Sequence, residues 1–189
     1  MFHKPGEGGV CWCTYYQRRR PLPRSETSGL TLDQRRNLNR VDQKELVKEG
    51  RSRGILVYSG DEPVGWCQYG PKEELRRIDG GRKHGKLGLG SEAKLWRITC
   101  FCVDRQFRSQ RVASAGLAAA LQSIKNRGGG TVEAYPVTHR GALAAWFGTV
   151  SMFTRHGFDV VAPFGRSNVV MRKKIRGSGA PRPLLRPMA

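Results

Sequence analysis

Acidic residues are scarce in this chain: 15 Asp and Glu stand against 34 Lys and Arg over 189 residues, a net charge of +19. That excess disfavours polycationic ligands and favours neutral or anionic partners, CoA-like carriers and nucleic acid among them. Long apolar runs are also missing. No stretch approaches the roughly 18 to 20 apolar residues that a membrane-spanning helix needs, and the opening MFHKPGEGG lacks the apolar region of a secretion signal. The expected setting is a soluble, cytoplasmic protein without membrane contact. No Cys-x-x-Cys knuckle occurs, which removes the usual spacing of structural zinc sites. The five cysteines, an odd number, are expected to be reduced thiols. Cys11-x-Cys13 and Cys100-x-Cys102 each put two thiols on one strand face, so a four-thiolate site stays open beside buried thiols; no metal is expected. With 38% hydrophobic residues, 24 Gly and 10 Pro, the core is expected to be smaller than the length suggests.

What is present centres on residues 95–127, LWRITCFCVDRQFRSQRVASAGLAAALQSIKNR. Residues 95–103 are apolar and β-favouring, broken only by Arg97 and Thr99, and read as a buried strand. From Val112 the apolar residues Val112, Leu117, Ala120, Leu121 and Ile124 fall at helical spacing. Between strand and helix lies a polar turn carrying Arg105, Arg108 and Arg111. Ser109 is expected to cap the helix. A helix start beside three arginines favours an anion, because free N–H groups and the helix dipole add to the side-chain charge.

This segment resembles the acyl-CoA-binding motif of the GNAT superfamily of N-acetyltransferases, a strand leading into Gln/Arg-x-x-Gly-x-Gly/Ala at a helix start. The six residues here are Arg108-Ser109-Gln110-Arg111-Val112-Ala113, with Arg111 at the middle glycine. The order of elements downstream, a strand over GTVEAYPV and then SMFTRHGF, extends the resemblance over residues 54–174. It implies an α/β (α+β) fold, a mixed and mainly antiparallel sheet flanked by helices, with acetyl-CoA as co-substrate and an amine as acceptor. By position it assigns Phe101, Cys102 and Val103 to the pantetheine arm and Arg108, Ser109, Gln110, Arg111, Val112 and Ala113 to the pyrophosphate. Phe153 stands where many members carry the tyrosine that protonates the leaving thiolate, and Phe147 where many carry an asparagine. Phenylalanine cannot donate a proton, so Tyr135, Ser151 or a water remain as substitutes.

The remaining chain reads in the same order. Residues 8–16 suit an opening strand, and the Pro, Ser and Arg of residues 18–29 a basic loop. Thr31 with Gln34 forms a capping box that predicts a helix running toward Glu49, with Leu38, Val41 and Leu46 as its apolar stripe. A hairpin turning at Gly60-Asp61-Glu62 follows. Residues 79–94 read as a second flexible basic loop, in which Gly80-x4-Gly85-Lys86 only imitates a phosphate-binding loop because Leu87 follows the lysine. Strands over 131–137, 158–162 and 168–173 and a short helix before Gly157 complete one domain, residues 1–175. Residues 176–189, basic and Pro-rich, read as a disordered tail.

For the chemistry, Glu133 is the sole carboxylate in the two strands that the resemblance separates. In apolar surroundings its pKa would rise, suiting it to take the amine proton through water. His139 and His156 are the other titratable candidates. A noncatalytic module binding CoA or nucleic acid is the alternative function, and a homodimer stays open as an assembly.

Overall fold

The computed structural model describes residues 12, 14–18, 22–80, 82–85, 87, 89, 92–139, 141 and 143–178. The opening strand expected over 8–16 lies mostly outside them, as do Cys11 and Cys13; its described end, residues 15–17, is a turn. The disordered tail expected over 176–189 falls outside beyond Ser178.

The expected loop 18–29 contains a short helix, α1 (Arg24–Thr27). Pro23 explains it, since its carbonyl accepts from both Glu26 N–H at 3.1 Å and Thr27 Oγ1 at 3.2 Å. Helix α2 (Leu32–Lys48) starts on the Thr31/Gln34 capping box, with both reciprocal bonds formed. Its expected apolar stripe packs inward only in part: Leu38 and Val41 are exposed and Leu46 is half-buried. Polar contacts hold the helix instead, Asp42 to Arg18 and Gln43 to Ser52 Oγ.

Strands β1 (Arg53–Ser59) and β2 (Glu62–Pro71) form the hairpin around Gly60. The expected loop 79–94 holds one helical turn, α3 (Arg82–Gly85). Strand β3 (Leu95–Val103) leads through a 3-10 turn (Arg105–Phe107) to α4 (Val112–Asn126). Strand β4 (Gly129–Ala134), one-turn helix α5 (Ala144–Phe147), α6 (Val150–Arg155), β5 (Asp159–Phe164) and β6 (Asn168–Arg176) follow.

The six strands make one sheet in the order β1-β2-β3-β4-β6-β5, antiparallel except for β3 with β4. That parallel pair exists because α4 carries the chain back across the sheet. On the α4 side, Leu117, Ala120 and Ile124 pack on Cys67, Ile98, Val132, Ala134, Phe153 and Met171. Close approach at the start of α4 depends on Gly65 of β2, where any Cβ would collide with Val112. On the other face, a smaller cluster gathers Ile78, Tyr135 and Val170.

Two details of β3 create the site. Its register with β2 jumps from Gln68↔Cys100 to Tyr69↔Ile98, so Thr99 is an extra residue and the strand bulges there. Its pairing with β4 runs only from Leu95↔Thr131 to Ile98↔Ala134. Beyond Ile98, β3 continues to Val103 with no strand partner on the side away from β2 among the described residues, and α5 packs against it there.

Candidate active site

A cavity opens between the far end of β3 with the start of α4 and the segment of α5 and α6. Val103, Phe107, Arg108, Ser109, Arg111, Val112, Ala113 and Ser114 form one wall; Thr149, Met152, Arg155 and His156 from the α6 side form the other. Among the described residues no carboxylate lines it.

The α4 start is not capped by Ser109, as the sequence suggested. The residue before the helix is Arg111, in the left-handed region at φ 62° and without a side-chain cap; Ser109 is left-handed as well, at φ 62°. A side chain in that region is strained by about 1 to 2 kcal/mol. The resemblance puts glycine at position 111, and the backbone keeps the shape a glycine would take. The first bond inside the helix is Ala115 N–H to Arg111 O, 2.9 Å. Among the described residues the N–H groups of Val112, Ala113 and Ser114 therefore meet no acceptor, and these three residues line the cavity. Arg108 is steadied by its Nε donating to Val103 O at 3.4 Å. Across the cavity His156 Nε2 lies 2.8 Å from Ser114 Oγ. Burial, then the cations Lys173 and Arg155, lower the His156 pKa below the usual 6.5, so its ring is neutral at pH 7. The arrangement is an anion seat: three arginines, free backbone donors, a helix dipole and no opposing acid.

Gln110 is outside the cavity lining, its side chain donating to Gln106 O at 2.9 Å. Phe101 and Phe153 lie in the core below the cavity, edge to face with centroids 6.1 Å apart. Gly148, at φ 73°, closes α5 onto them; a Cβ there would sit 2.6 Å from Met152 Cε and 3.1 Å from Phe153 Cε2. Cys102 is buried, and that burial raises its thiol pKa.

The three residues considered for acid and base do not meet in this cavity. Ser151 is exposed on α6, 3.1 Å from Thr149 Oγ1, and borders a neighbouring hollow with His139. Val132 and Ala134 face α4, so alternation puts Glu133 and Tyr135 on the opposite face. There Glu133 is fully buried, and the expected rise in its pKa is reversed. Burial works to raise it, but hydrogen bonds with His84 Nε2 (3.0 Å), Tyr135 Oη and Arg172 Nε (2.8 Å) outweigh that and hold it down to about 2. Tyr135 donates to this carboxylate, and burial and the adjacent charge push its phenol well above 10.

Register explains the cluster. Arg97, Glu133 and Arg172 are directly opposed on β3, β4 and β6. Arg97, with no exposed surface, also makes a two-pronged pair with Asp79 at 2.9 and 2.6 Å and donates to Leu75 O. Sequence reading passed over Arg97, Arg172, Asp79 and His84. The available signal was an arginine inside an apolar strand, which a fold accepts only when a carboxylate is built to meet it.

The acetyltransferase (GNAT) family matches residues 15–158. The chain belongs to the GNAT family. Its fold is similar to that of a GNAT-family protein from Desulfovibrio desulfuricans, at TM-score 0.51 and 16% identity over 79% of this chain and 86% of that one. It is also similar to YncA of Salmonella typhimurium, solved with its cofactor acetyl-CoA, at TM-score 0.50 and 16% identity over 76% of each chain. No curated protein matches the sequence. In this GNAT chain the end of β3 at Val103 and the start of α4 meet at one cavity, and acetyl transfer is the chemistry of the family.

Proposed function

We propose that this GNAT protein transfers the acetyl group of acetyl-CoA to a primary amine of a small molecule or peptide by direct attack on the thioester. One observation carries the reading: the uncapped start of α4, flanked by arginines, lines a cavity that opens beside the unpaired edge of β3. The diphosphate would sit on the N–H groups of residues 112–114 with Arg108 and Arg111 beside it; Ser109, Gln110 and Ala113 shape that turn. The arm would run along Phe101, Cys102 and Val103, which have no β4 partner; Val103 lines the cavity. The bulge turns the backbone at Thr99 and Cys100 and would place an N–H against the thioester oxygen, where charge develops.

In the reaction the neutral amine forms a C–N bond to the acetyl carbon, the C–S bond breaks, the nitrogen loses a proton and the CoA thiolate gains one. Glu133 and Tyr135, bonded to each other and to arginine, act in this reading by holding β3, β4 and β6 in register; Ser151 lies one cavity away. Protons then move through water at the cavity mouth. A cavity with no carboxylate among its described lining residues suits a neutral or anionic amine. The rival, a module that binds without transfer, rests on Phe153, a core residue with no proton to give. We further propose that residues 1–175 act as one cytoplasmic domain.

Saturating acetyl-CoA, at about a hundred times its dissociation constant, should stabilise the protein by about 2.7 kcal/mol, and thiol release should follow with some member of an amine panel. Arg108→Ala should weaken acetyl-CoA by about 1 to 3 kcal/mol. No thermal shift with acetyl-CoA would remove the enzyme; a shift without thiol release across the panel would favour the module.

A further inference from the structure

His156 stands on the wall of the cavity opposite the start of α4, and no step of acetyl transfer uses it. Its mount is rigid. The residue closes α6, its N–H donates to Phe153 O at 2.9 Å, and its carbonyl accepts from Lys173 Nζ. The ring is half-buried, with Nε2 lying 2.8 Å from Ser114 Oγ. Ser114 is the third residue of α4, so the pair bridges the two walls beside the N–H groups of residues 112–114.

The charges around this ring are of one sign. Arg155 reaches it from α6 and Lys173 from β6, while Arg108 and Arg111 line the same cavity from the turn before α4. Lys125 of α4 borders the hollow on the other side of the ring; Lys174 and Arg176 of β6 are turned by strand alternation toward the face away from α4. Asp159, at the start of β5, lines neither cavity, and no acidic side chain does among the described residues. Burial first, and then Lys173 and Arg155, oppose a proton on the ring of the empty cavity. A neutral ring accepts at one nitrogen. With Nε2 as that acceptor, the serine hydrogen is committed to the ring and withheld from the cavity.

A diphosphate on the N–H groups of residues 112–114 would change both conditions. Its negative charge offsets the field of the cations and favours a protonated ring. A protonated ring donates at both nitrogens, which releases the serine hydrogen. We infer that His156 and Ser114 form a proton-coupled clasp for the diphosphate of the carrier. As the carrier binds, Nε2 takes one proton from solvent and donates to Ser114 Oγ, and the serine O–H turns to a phosphate oxygen. No covalent bond of the carrier changes. The inference rests on acetyl-CoA occupying this cavity. A group that gains a proton on binding favours the complex at low pH, so affinity climbs as pH falls.

The test titrates the full chain calorimetrically with 3′-dephospho-CoA. This probe keeps the diphosphate and lacks the phosphomonoester, whose own pKa of about 6 would confuse the proton count. At pH 7, in two buffers of different ionisation enthalpy, the wild type should take up a measurable fraction of a proton per carrier bound. Its affinity should tighten by about tenfold from pH 8 to pH 6. His156→Gln and Ser114→Ala should each bind without proton uptake, their affinities changing by less than about twofold over that range. Ser114→Ala, a helix-favouring change, keeps the test open if His156→Gln folds poorly. Binding by the wild type without proton uptake overturns the clasp and leaves acetyl transfer standing. Full uptake retained by either variant also overturns it, placing the titrating group elsewhere; a bond that merely ties α4 to α6 would give that result with a lowered melting temperature. Acetyl-CoA bound while 3′-dephospho-CoA is not overturns it as well, since the diphosphate would then not be the group held. Binding of neither probe removes the carrier from the cavity, and the acetyl-transfer reading with it.

Discussion

Arginines gather in two places on this sheet, and their surroundings differ in kind. At the mouth of the cavity, Arg108, Arg111 and Arg155 face one another with no carboxylate among them, beside backbone donors that meet no acceptor. On the opposite face, Arg97 and Arg172 are locked to Glu133 and Asp79, with His84 and Tyr135 filling the remaining bonds. Folding requires that buried charge be matched, and the second cluster meets that demand. The first is left unmatched where solvent and ligand can reach it, which is how a fold stores attraction for something outside itself. The two helix starts repeat the contrast: α2 is closed by the reciprocal bonds of Thr31 and Gln34, whereas α4 has no side-chain cap.

The sharpest way to break the comparison is Arg97→Leu. It strands Asp79 and weakens the hold on Glu133, and should cost about 3 to 5 kcal/mol of unfolding free energy, read by chemical denaturation. A loss under about 1 kcal/mol would mean that the matched cluster is not what keeps the strands together. Next in size is the response to acid. The Glu133 pKa is depressed from 4.5 to about 2. Its contribution is therefore complete above pH 4.5 and drains away as pH falls toward 2, about 3 kcal/mol in all. Thermal melts between pH 5 and pH 2 should show that slope in the wild type and a flatter one in Glu133→Gln. An unchanged slope would move the acid sensitivity elsewhere. Smallest is Arg111→Gly at the unmatched site, which removes a left-handed side chain and should raise stability by about 1 kcal/mol. The same residue type would then be costly to lose on one face and costly to keep on the other; a destabilised Arg111→Gly protein would erase the distinction.

Much of the scaffold was legible because each element carries a local cause. The capping box at Thr31 placed α2, the glycine at 60 placed the hairpin, and the change from unbroken apolar residues to helical spacing at Val112 placed β3 and α4 at the residues observed. The anion seat was legible in outline because arginines clustered at a strand-to-helix turn. Its local geometry was not. Ser109 looked like a cap by residue type, but the turn is left-handed at residues 109 and 111 and the helix starts two residues later, behind Arg111. Nor could Glu133 be read correctly, since its partners come from positions 84, 97, 135 and 172 and only strand register brings them to one point. A carboxylate in an apolar strand looks unpaired until the neighbouring strands are known.

The fork in the sheet has a further consequence. β3 and β4 part company after Ile98 and Ala134, and the very next rung is Arg97 with Glu133, continued to Arg172. A seam opened at one end tends to run, each lost rung loosening the next. Here the rip stops at an ionic rivet through three strands, so prying the gap wider would have to tear charges out of a dry interior. The opening can stay agape without spreading, and its width is set from the side of the sheet that no ligand in the cleft touches.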